Sequence, residues 1–198
     1  MRRIIVLILA LSSFTLWAQT RNEISFFLGP SINQSGGISD LGDPTFNTSF
    51  QYNYFLNENH GFGLSFGNEY DYDGSSKFPG IKDGSIHTFD FHYAFRWFFN
   101  NKKMRFTFTP GIGIQTLYDQ YRDFYWGYMY YDDLSTAWIA DYKLMFDYVV
   151  SQWETDGTPR SFFVGVGVQQ VFSFNDEYRG QDISGSRLSG LFRLGLGF

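Results

Sequence analysis

The chain has no cysteine, only three histidines and five prolines. Without cysteine no disulfide staples the fold and no thiol chemistry is open to it. With histidine so scarce, metal and acid–base sites have few candidate ligands. Basic residues are also short. Setting aside Arg2 and Arg3, 13 Lys and Arg stand against 20 Asp and Glu, a net charge of −7. Nucleic acid is therefore no partner, because phosphate binding needs clustered cations. Long apolar runs are missing too: nothing after residue 18 is long enough for a spanning helix, which needs roughly 20 residues.

What is present begins with an export signal. Arg2 and Arg3 precede the apolar stretch from Ile4 to Leu11, and Ser12 to Ala18 ends on a small residue suited to cleavage. The expected division is a signal peptide over 1–18 and one domain over 19–198. No Cys follows the apolar stretch, so no lipoprotein anchor is expected.

Aromatic residues make up 22% of the chain, heavy for a domain that faces only water. They recur at every second position, the period of a strand. Phe89, Phe91, Tyr93, Phe95 and Trp97 alternate with Thr88, Asp90, His92, Ala94 and Arg96. Trp138, Ala140, Tyr142, Leu144, Phe146 and Tyr148 alternate with Asp141, Lys143 and Asp147. Eight such segments occur, an even number, as single-chain bacterial barrels require. The connections alternate in length: 31–45, 69–85, 119–134 and 175–186 are long, whereas 57–60, 99–103 and 151–160 are short. Outer-membrane barrels place long loops outside and short turns in the periplasm. The bulky aromatic face does not fit the lumen of eight strands, while Gly, Ser, Thr, Asn and a few charges do. The apolar face therefore points outward, to lipid. The expected fold is all-β, an eight-stranded antiparallel up-and-down transmembrane β-barrel.

The final Leu191-Phe192-Arg193-Leu194-Gly195-Leu196-Gly197-Phe198, with the export signal and the eight amphipathic strands, resembles the small OmpA/OmpX-like outer-membrane β-barrel family. Thr109-Pro110-Gly111-Ile112-Gly113 is similar to the opening of a middle strand in those barrels. The resemblance implies an outer-membrane location and contact with outer-membrane lipid. It also implies that Phe198 is the assembly signal read by the barrel-assembly machinery.

Charges on the inward face must be paired in a narrow interior. Glu23, Asp90, Asp141 and Asp147 face Arg96, Arg105, Lys143 and Arg193. Strand direction puts Arg96, Arg105 and Asp147 near the periplasmic end and Asp141, Lys143 and Arg193 near mid-height. A structural charge network is expected, without an open pore; a narrow channel is the alternative. The segment from Tyr118 to Asp133 holds Tyr121, Phe124, Tyr125, Trp126, Tyr128, Tyr130 and Tyr131. These residue types form membrane girdles and also recognition surfaces, so they are the candidates for binding an extracellular ligand or protein. Asp71, Asp73 and Ser75 alternate like calcium ligands, but Gly74 comes too early and Lys82 stands where a bidentate Glu is needed. No metal or cofactor is expected. His87 and His92 fall on opposite strand faces, and no His-x-Ser occurs, so a lipid-modifying enzyme is the weaker alternative and no catalytic residue is assigned.

Overall fold

The computed structural model describes residues 21–36, 45–71, 84–99, 102–122, 129–174, 177–178, 181–182 and 184–198. The strands are β1 (Asn22–Gly36), β2 (Thr45–Phe55), β3 (His60–Asp71), β4 (Gly84–Phe99) and β5 (Met104–Arg122). They continue with β6 (Met129–Thr155), β7 (Thr158–Phe174), β8 (Glu177–Tyr178), β9 (Gln181–Asp182) and β10 (Gly185–Gly197). Strands β1 to β7 and β10 form a closed antiparallel barrel in which each strand pairs with its sequence neighbour and β10 closes on β1. The short β8 and β9 form a separate two-stranded ladder in the connection before β10.

The faces are inverted relative to a water-soluble barrel. Trp138 and Ile112 are 65% and 66% exposed, whereas Arg193 and Asp147 are fully buried. Along β2 the burial alternates without a break: Phe46, Phe50, Tyr52 and Tyr54 point out, and Asn47, Ser49, Gln51 and Asn53 point in. The period-2 pattern thus becomes an aromatic belt around a polar lumen, as lipid requires. Backbone hydrogen bonds between Asn22 and Phe198 run both ways, at 2.8 and 2.9 Å, and seal the seam between β1 and β10.

Several strands run further than the sequence pattern suggests. The segment 119–134, read as a loop, is largely strand: β5 continues to Arg122 and β6 starts at Met129, paired from Arg122–Met129 to Tyr118–Asp133, where a bulge shifts the register before Leu117–Ser135. Segment 151–160 is likewise not a loop. There β6 and β7 stay paired to Thr155–Thr158 around a two-residue turn. Asp156 and Gly157 have φ of 53° and 74°, the left-handed pair that an Asp-Gly type I′ hairpin turn needs. Beyond the lipid belt nothing forces hydrophobic alternation, so these extensions leave no periodic signal.

Candidate functional site

The lumen is filled by ion pairs in three levels. At the periplasmic end β1 supplies Glu23, whose carboxylate accepts from Arg96 of β4 and Arg105 of β5. Asp147 of β6 accepts from Arg105 Nε at 2.9 Å, Arg193 Nη1 at 2.8 Å and Thr107 Oγ1 at 3.1 Å. Arg193 also donates to Ser25 Oγ at 2.8 and 3.0 Å. Three inward phenylalanines floor this level. The Arg96 guanidinium lies 3.6 Å from the Phe55 ring centre, Arg105 3.7 Å from Phe163, and Arg193 5.3 Å from Phe27. Cation–π stacking stabilises such desolvated guanidinium groups.

The middle level centres on Lys143. Its Nζ reaches Asp141 Oδ2 at 3.2 Å, Asp90 Oδ2 at 3.4 Å and Ser65 Oγ at 3.2 Å. Gln169 Nε2 donates to Asp141 at 2.9 Å. His92 stands between Asp90 and Asn53, its two ring nitrogens 2.7 and 2.8 Å from their side-chain oxygens. Nearest the outside, Glu69 and Arg187 form an ion pair at 3.0 Å. Below them Asn47 contacts Gln169 and Ser189, both at 3.5 Å.

Close glycines let these side chains fit. A Cβ at Gly111 would come within 2.5 Å of Asp141 Oδ1. Gly165 lies in register with both Asp147 and Arg193, so nothing stands between that acid and that base.

Arg193 therefore does not join Asp141 at mid-height as its sequence position suggests. Its long arm reaches down across Gly165 to Asp147, with Glu23 Oε2 at 3.5 Å, and Asp141 is held by Lys143 and Gln169 instead. Five members of the lumen went unnoticed in the sequence. The inward phenylalanines Phe27, Phe55 and Phe163 break the rule that bulky aromatics point out, and their even spacing from other inward residues is the signal that would have found them. The pair Glu69–Arg187 lay beyond the assumed strand ends.

The outer aromatic candidates divide. Tyr121 lies on β5 opposite Tyr130 of β6, and Tyr131 pairs with Gln120. Phe124, Tyr125, Trp126 and Tyr128 lie outside the described residues, as do Asp73, Ser75 and Lys82. Among the described residues no group of three His, Asp or Glu is placed to hold a metal. On the lipid face of β4, Ser85 Oγ and His87 Nε2 are 3.3 Å apart. The neighbouring carboxylate Glu69, on β3, faces the lumen and Arg187. Nucleophile and base touch there, but that acid is turned away from them.

No protein-family model matches the sequence, and no curated protein does. Solved structures do. The chain is similar to Neisserial surface protein A, with a TM-score of 0.63 at 10% identity, over 91% of this chain and 99% of that one. Weaker likenesses run to the N-terminal β-barrel domain of Pseudomonas aeruginosa OprF (TM-score 0.46, 13% identity, 91% and 99% covered). Another is Ail of Yersinia pestis, solved in complex with the heparin analogue sucrose octasulfate (0.45, 13%, 92% and 98%). At these identities the likeness is one of fold: a small outer-membrane β-barrel of eight strands.

Proposed function

We propose that the protein is an integral barrel of the bacterial outer membrane with a structural or surface-recognition role and no open pore. One observation carries this reading: an aromatic belt surrounds a lumen closed by ion pairs on three phenylalanines. Buried charges matched so closely leave no continuous aqueous path, and eight strands leave an interior that side chains fill. Recognition belongs to the outer extension of β5 and β6 and the aromatic run Tyr121 to Tyr131, which offers amphipathic contact area at low entropic cost. Its ligand class is an extracellular glycan, peptide or protein. We assign the protein no enzymatic reaction. An N-terminal leader over 1–18 directs export, and Phe198 serves the assembly machinery.

The test is direct. Folded barrel in planar bilayers should give no stable conductance, and a variant lacking residues 121–131 should lose capture of surface ligand while keeping its fold. Steady single-channel currents from the wild-type barrel would overturn the closed-lumen reading. Equal ligand capture by the deletion variant would overturn the recognition assignment.

A further inference from the structure

The periplasmic end of β6 and β7 stands out from the barrel as a free ribbon. Strand β5 begins at Met104, opposite Tyr148, and β10 ends at Gly197, opposite Ser161. Residues 151–155 and 158–160 therefore have each other as ladder partners but neither flanking strand. The five residues 151–155 span about 17 Å along the strand direction.

A bulge sets which way this ribbon faces. Val149 pairs with Phe163, yet Ser151 pairs with Phe162, so one residue, Val150, is extra. A one-residue slip moves every following side chain to the opposite face. Without it, Gln152 and Glu154 would continue the lipid-facing set of Phe146 and Tyr148. With it, Trp153 does so, beside its cross-strand partner Arg160, on the face of the outward Phe162. Glu154 turns the other way. Trp153 is 42% exposed and Val150 52% exposed.

Charge agrees with this orientation. Of 20 acidic and 15 basic residues, the lumen takes five of each and the leader takes Arg2 and Arg3. The periplasmic end has Arg21, Lys102, Lys103 and Arg160 against Glu58, Glu154 and Asp156, a net of +1. Among the described residues the outer strand ends carry Asp71, Asp119, Asp132, Asp133, Glu177 and Asp182 against Arg122, a net of −5. The end nearest the inner leaflet is the cationic one.

We infer that the outward face of this ribbon is a phospholipid-binding foot, with Trp153 in the headgroup layer of the inner leaflet and Arg160 on a lipid phosphate. Trp favours the membrane interface, and a guanidinium pairs with phosphate through two parallel hydrogen bonds. The face is continuous with the lipid-facing belt, so the occupant is the membrane that already surrounds the barrel. The inference rests on the outer-membrane reading, and the test separates the two.

Two single-tryptophan versions of the mature barrel, keeping Trp153 or Trp138 with the other tryptophans changed to Phe, are refolded into phosphatidylcholine vesicles with and without phosphatidylglycerol. Trp138 lies in the belt and should be quenched by a nitroxide on the acyl chain, which establishes insertion. Trp153 should be quenched by a headgroup nitroxide and shielded from aqueous acrylamide, more so with phosphatidylglycerol. Arg160→Glu should abolish that anionic-lipid effect and Arg160→Lys should retain it. Failure of the Trp138 signal would defeat the membrane reading itself. Normal Trp138 quenching beside a Trp153 open to acrylamide would defeat the foot, and indifference to phosphatidylglycerol would defeat the role of Arg160.

Discussion

Arg193 shows what one residue carries in this interior. It donates to Asp147 and Ser25 in the buried lumen, so Arg193→Leu takes one donor from Asp147, which keeps Arg105 and Thr107, and weakens the hold on Glu23. Removing one partner of a buried ion pair costs up to about 3–5 kcal/mol; the donors Asp147 retains set this loss at the lower end of that range. Trp97→Ser on the lipid face, by contrast, gives up part of one apolar contact among many and should cost about 1–3 kcal/mol. Urea unfolding of both variants in lipid should rank Arg193→Leu as the less stable; the reverse order would place the aromatics in the core. Gly165→Val tests the same pair from a third side, wedging carbon between Asp147 and Arg193. Overpacking of that kind costs about 1–3 kcal/mol, read in the same unfolding experiment. The inward set of charges was legible in the sequence because parity alone assigns a face. The partner of Arg193 was not, because a long side chain reaches well past the height of its own Cα, and only the bare Gly165 decides where it goes.

The strands were legible where lipid imposes a pattern. Along β4 every second residue from Phe89 to Trp97 must be apolar, so the alternation reads clearly. Outside the belt no hydrocarbon imposes an apolar face, and β5 beyond Tyr118 or β6 beyond Val150 has no reason to alternate. The Asp156-Gly157 dipeptide was the one surviving sign of the periplasmic hairpin. Its Gly157 has φ of 74°, so Gly157→Val should strain the turn and destabilise the ribbon by upwards of about 1 kcal/mol. The check is faster amide exchange at Thr155 and Thr158 with the barrel strands unchanged. At the other end of the element series, the backbone of Phe198 pairs with Asn22 while its ring points to lipid. Deleting Phe198 removes that last rung and, on the family resemblance, the assembly signal. Export should continue while the outer-membrane level falls, measured by fractionation; normal levels would refute the assignment.

At the scale of the whole molecule, closure matters more than any single contact. Every strand of the ring has two partners, so no edge is left for detergent to open. The mature barrel should fractionate with outer membranes and migrate faster unheated than boiled on a detergent gel; recovery from the soluble periplasm would contradict the fold's inverted faces.

The seam also orders events in time. Glu23 of β1 lies opposite Gly197 of β10, so the first and final strands of the ring are partners across nearly the whole sequence. Seven hairpin-type pairings join neighbours and can form as each strand becomes available, but the eighth waits for β10. Until then the sheet is an open ribbon with two raw margins, and Arg193 is missing from the Glu23 cluster. A chain cut short of β10 keeps both margins open, so closing the ring depends on the last strand to be made.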